Sequence, residues 1–98
     1  MTDEAFNHGL AAFLDDMSPE AVKKKVPRIS ETALKKLMIE YQEVFSAACR
    51  CVRNGLEDHK TEVILRDEVA AIDERVSPAN ATMLYAIART SAWRDGYS

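Results

Sequence analysis

Between Ser30 and Val52 the chain reads SETALKKLMIEYQEVFSAACRCV, and this stretch decides the fold. Ser30 followed by Glu31 marks a helix start, because the hydroxyl can accept from a free backbone N–H and the acid suits the positive end of the helix dipole. Ile29 before the cap and Leu34 after it can close a hydrophobic staple. At ~100° per residue, Leu34, Leu37, Met38, Tyr41, Val44, Phe45, Ala48, Cys49, Cys51 and Val52 fill an arc of about 160°. A surface helix usually needs little more than about 100°. Leu34, Met38, Tyr41, Phe45, Ala48 and Val52 also alternate steps of four and three, the spacing of a coiled-coil-like seam. Ile39 stands apart on the polar side, among Lys35, Gln42 and Ser46. The stretch predicts a long helix running to about Arg53, where Asn54-Gly55 supplies a stop.

Outward from this helix the same signals recur. Thr2 can cap a first helix that carries Asp3 and Glu4 in its opening turn and Phe6, Leu10, Phe13, Leu14 and Met17 at helical spacing, to about residue 16. Ser18-Pro19-Glu20 opens a short basic helix that Pro27 ends. A fourth helix is expected from somewhere between Glu57 and Thr61 to Val76, with Leu65, Val69, Ile72 and Val76 as a narrow seam. Ser77-Pro78-Ala79 opens the last helix, which ends near Arg94, before Gly96. From Ala79 to Trp93 its only charged residue is Arg89, while Met83, Leu84, Tyr85, Ile87, Ala88 and Trp93 point around the whole circumference. A helix apolar all round calls for burial on all sides. A second copy of the chain would supply that cover. The expectation is an all-α, compact bundle of four to five helices in a single domain over residues 1–98, dimeric through the long third and the C-terminal helices.

Composition agrees. Hydrophobic residues at 47% and charged residues at 30% describe a folded protein and not a disordered tail. Sixteen acids against thirteen Lys and Arg leave a charge of −3, which opposes a surface built wholly for nucleic acid. The acidic start, Met1-Thr2-Asp3-Glu4, lacks the basic and apolar regions of a secretory signal, so the expected compartment is the cytoplasm, with Cys49 and Cys51 as reduced packing thiols. No membrane association is expected.

Patterns that carry chemistry are sparse. A bundle metal site needs Glu three residues before His, and Leu56 stands at that place before His59 and Ala5 before His8. Neither His shares a helix with Cys49 or Cys51, and there is no glycine-rich phosphate loop, so no catalytic, cofactor-binding or metal residues are expected. Lys23, Lys24, Lys25, Arg28, Lys35 and Lys36 form a basic segment over residues 23–36 whose outline resembles a helix-turn-helix. Glu31 near the leading end of its second helix opposes phosphate contact.

The run Leu65-Arg66-Asp67-Glu68-Val69-Ala70-Ala71-Ile72-Asp73-Glu74-Arg75-Val76 resembles the first-helix signature of the helical chorismate mutases. The resemblance covers twelve residues and implies Arg66 as an active-site arginine. Ser77-Pro78 interrupts where that family's helix continues, and too little chain follows for its further helices.

The functional expectation is therefore a small non-enzymatic regulatory protein of bacterial type that binds another protein. One example is an anti-activator that occupies a transcription regulator; small dimeric helical anti-activators of quorum-sensing regulators share this size and architecture. The expected anchors are Tyr41, Phe45, Leu84, Tyr85, Ile87, Arg89 and Trp93, since aromatic and Arg side chains dominate binding hot spots. The alternatives are a DNA-binding regulator using the basic segment and a secretion or folding chaperone.

Overall fold

A computed structural model describes residues 1–94 and 96. Five helices follow one another: α1 (Asp3–Asp16), α2 (Pro19–Lys25), α3 (Glu31–Glu57), α4 (Glu62–Ala70) and α5 (Pro78–Arg94). No strand occurs among the described residues, and the fold is an all-α bundle. Each start is capped as the side-chain chemistry dictates. Thr2, Ser18, Ser30 and Thr61 accept from the backbone N–H three residues on, and Ser77 Oγ accepts from Asn80 N at 3.2 Å.

Two ends differ from the sequence expectation. The third helix does not stop at Asn54-Gly55 but runs to Glu57. Gly55 is buried inside it, and a Cβ there would lie 2.0 Å from Leu65 Cδ2. This glycine thus admits α4 to close range and leaves the stop to its successors. The chain turns at His59, whose φ of 59° is left-handed, with Lys60 N donating to Gly55 O at 2.8 Å. The fourth helix ends at Ala70, well short of Val76. Past it the Asp73 carboxylate accepts from Arg75 N at 2.9 Å, a local bond that competes with helical hydrogen bonding. Ile72 and Val76 still pack against the core, from a turn.

The core is a single cluster centred on Tyr41, which is fully buried between Phe6 and Phe13 at ring-centroid distances of 5.2 and 5.6 Å. Its Oη donates to Phe6 O at 2.7 Å. Gly9 makes that approach feasible, since a Cβ there would meet the same oxygen at 2.3 Å. The buried face of α3 is Leu37, Tyr41, Val44, Ala48, Val52 and Gly55, rotated slightly from the predicted seam, so that Leu34, Met38 and Phe45 fall at its half-buried edge.

α5 packs on α3, α4 and α1. Its first turn is tied down by a polar cluster that had no signature in the sequence. Asn80, only 5% exposed, donates through Nδ2 to Asn7 O and Oδ1, both at 2.9 Å. Asn7 in turn donates to Arg75 O and accepts from Ser77 N, both at 2.8 Å. These bonds fix how α5 lies on α1.

The molecule measures 43 × 23 × 17 Å. A helix with its side chains is ~10–12 Å across, so the thinnest direction holds only two layers. A helix in a two-layer body has an outside. α5 accordingly buries Asn80, Ala81, Leu84, Tyr85, Ala88 and Ala92 and leaves Met83, Ala86 and Trp93 exposed. The all-round burial expected for this helix is not met within one chain.

Candidate protein-binding site

The seven expected anchors separate into two groups. Tyr41 and Leu84 are fully buried in the core; Tyr85, 5% exposed, packs the core and shows only an edge in the hollow beside Arg89. Arg66, the residue singled out by the chorismate mutase resemblance, has its guanidinium 5.5 Å from the Tyr85 ring centroid and pairs with Glu62 at 3.2 Å. The helix carrying that signature breaks at Ala70, in the middle of the run.

The other four anchors reach the surface. Phe45 and Ile87 are half-buried and both line a groove of about 500 Å³, with Met17, Met83, Ala86, Thr90 and Arg94. Arg89 lies on the far side of α5, in a polar hollow of about 420 Å³ with His59, Lys60 and Glu62. Trp93 is 67% exposed.

A second groove, of about 560 Å³, opens farther along α3 between Pro19, Glu31, Leu34, Lys35, Met38 and Ile39. Met38 and Phe45 are seven residues apart, so both grooves lie along one edge of α3, ~10 Å from each other. Ile39, 60% exposed, stands at this edge beside Met38. Three of the chain's four methionines, Met17, Met38 and Met83, line the two grooves. Methionine is unbranched and polarisable, and it adapts to partner shapes better than branched side chains do. Sequence reasoning passed over the methionines because it ranked anchors by aromatic and Arg character. The exposed Ile39 on a polar face was the visible signal.

Lys23, Lys24, Lys25, Arg28, Lys35 and Lys36 are all exposed. Of these, Lys35 lines the second groove, Lys36 lies in another hollow with Ile29, Ala33 and Glu40, and Lys23 Nζ is engaged by Ile29 O.

Ionisable groups away from the grooves are held by structural pairing. Burial pushes the Tyr41 phenol well above its usual range. Burial, helped by a 3.4 Å contact with Glu68 Oε2, likewise raises the Cys51 thiol, opposite to the direction that activates a nucleophile. Neither Cys49 nor Cys51 is in a disulfide. Arg75 holds the Asp73 carboxyl below its ordinary value through bonds at 2.8 and 3.1 Å, and its guanidinium stacks 4.1 Å from the Phe6 ring centroid. Among the described residues no cluster of His, Cys, Asp and Glu could hold a metal ion, and no helix is long and apolar enough to cross a membrane.

No protein-family model, curated protein or solved structure matches this chain.

Proposed function

We propose that this protein is a small non-enzymatic regulator that binds another protein along the apolar edge of α3, acting by occupancy and not by turnover. The observation that carries the reading is the row Leu34, Met38, Ile39 and Phe45, left open beside Met17 and Met83 with no segment of the described chain covering it. An amphipathic helix of a partner would lay its apolar face into these grooves, with hydrophobic side chains spaced three and four apart. Lys35, exposed at the second groove, favours an acidic residue on the partner helix and would help set its orientation. A bacterial transcription activator whose dimerisation or DNA contact is blocked in this way is the specific form proposed.

The test is capture of bound protein from the native host, identification by mass spectrometry, and titration with the purified partner. Ile39→Glu and Phe45→Glu are each expected to weaken binding at least tenfold, since each places a charge in an apolar contact, and the unmodified chain is expected to reduce the partner's DNA binding at one-to-one stoichiometry. Equal affinity of both variants would overturn the site. A gel shift with DNA alone, lost when Lys23, Lys24 and Lys25 become Glu, would replace the reading with DNA binding.

A further inference from the structure

We infer that the polar hollow between α5 and the α3–α4 turn is a binding site for a phosphate monoester group, with Arg89 as its charged anchor and the Tyr85 hydroxyl as a second donor. This site is independent of the partner reading, since it shares no lining residue with the two grooves along the α3 edge.

The hollow, of about 420 Å³, joins side chains from three elements: Leu56 of α3, His59, Lys60 and Glu62 around the start of α4, and Tyr85 and Arg89 of α5. Tyr85 and Arg89 are four residues apart, so α5 presents both on one side. Tyr85 is only 5% exposed. Its hydroxyl makes no hydrogen bond among the described residues, yet it is not sealed from solvent, and this hollow is the opening that Tyr85 lines. Polar groups on so deeply buried a side chain are normally bonded. A hydroxyl left without a protein partner at the wall of a polar hollow points to a ligand.

Arg89 repeats the pattern with charge. It is half-buried and has no ion pair or hydrogen bond among the described residues. The neighbouring cations are matched: Lys60 with Glu68 at 2.8 Å, and Arg66, which lies over the Tyr85 ring, with Glu62 at 3.2 Å.

Charge selects the occupant. Glu62 is the one carboxylate among the lining residues, and Arg66 engages it; Asp58, which acts on Lys60, does not line the hollow. What remains is the Arg89 guanidinium, the donors of Lys60 that Glu68 does not use, and the His59 imidazole. A neutral or cationic ligand would leave Arg89 unpaired. A phosphate monoester carries about −1.5 to −2 charge and three acceptor oxygens, enough for Arg89, Lys60 and Tyr85 together. The guanidinium fork also matches phosphate in geometry. The same end of the hollow holds the start of α4, where Thr61 Oγ1 takes only Ile64 N and the positive end of the helix favours an anion. A hollow of this volume is of small-molecule size and leaves room for the polar body that bears the phosphate.

Titration of the full chain with inorganic phosphate at constant ionic strength, followed by NMR of backbone amides and arginine side chains, tests the site. Saturable shifts are expected at Arg89 Nε and the amides of residues 59–62, with a Kd of about 1 mM or tighter. Arg89→Gln should weaken binding by about tenfold or more, because it removes a charge-assisted bond, and Tyr85→Phe by roughly fivefold, both with unchanged helical circular dichroism. Lys24→Gln, exposed on α2, should leave the affinity unchanged. Two further probes identify the source of the group: a sugar phosphate that binds tighter than phosphate marks a free small molecule, and a phosphoserine peptide that does so marks a modified protein. Shifts that fail to saturate by ~20 mM phosphate would overturn the inference. So would an Arg89→Gln chain of unchanged affinity, or a loss on Lys24→Gln as large as that on Arg89→Gln. Ile39→Glu and Phe45→Glu should not alter this titration, so its outcome is separable from that of partner binding.

Discussion

The two sides of α5 carry almost the same chemistry and meet opposite fates. Ala81, Leu84, Tyr85, Ala88 and Ala92 face inward and are buried; Ala79, Met83, Ala86 and Trp93 face outward and are exposed. Hydropathy alone does not separate these sets. What separates them is the thickness of the body, since a layer of helices lies on one side of α5 and nothing in the described chain lies on the other. Apolar character indicates that a residue gains by being covered, and only the packing of the whole chain tells whether the cover is its own.

This contrast can be tested by truncating one residue from each side. Leu84→Ala removes a fully buried side chain and is expected to cost about 3 kcal/mol in urea unfolding of dilute protein. Met83→Ala, its neighbour on the outer side at 40% exposure, should change stability by less than ~0.5 kcal/mol under the same conditions. Comparable losses would show that the outer face is packed after all.

The inner side is also held by polar bonds, and Asn7→Ala probes them. It removes the acceptor for Ser77 N and a partner of the buried Asn80 amide, an expected loss of ~2 kcal/mol measured by thermal and urea denaturation. A smaller effect arises where α3 hands over to α4. His59 sits in the left-handed region, so His59→Gly should stabilise the chain by roughly 1 kcal/mol, read as a higher denaturation midpoint.

The smallest effect concerns acid. Asp73, paired with Arg75, has its folded pKa lowered from 3.8, so the pair's contribution is complete above that value and disappears as pH falls through the lower folded value. Asp73→Asn should therefore flatten the stability-against-pH curve below about pH 4 and leave its shape near neutrality unchanged, as followed by thermal melts across acid pH.

Much of the fold was legible in local chemistry. Four of the five helix starts were named from Thr2, Ser18, Ser30 and Ser77, because a capping hydroxyl acts within three residues and needs no distant partner. The ends were harder. Asn54-Gly55 has the form of a stop, but Leu65 occupies the space that Gly55 leaves free. The run to Val76 has helical periodicity, but Asp73 and Asn7 claim the backbone there. The first misreading turns on Leu65 in the next helix; the second turns on the local Asp73–Arg75 bond together with Asn7, which is distant in sequence.

The site was legible in part for the same reason. Phe45, Ile87 and Trp93 reach the surface, whereas Tyr41, Leu84 and Tyr85 do not, although all six have the character of binding anchors. The Met17, Met38 and Met83 side chains become neighbours of an open groove only once α1, α3 and α5 are assembled.

The amino-acid order by itself determined that this chain is helical, where four of its five helices begin and which arcs of them are apolar, because caps and periodicity act over a few residues. The tertiary structure alone decided that Asn7 and Asn80 anchor α5, that Gly55 is a contact and not a stop, and that one apolar side of a two-layer body stays uncovered. Those outcomes depend on which surfaces meet and how many layers cover them, quantities that no single helix contains.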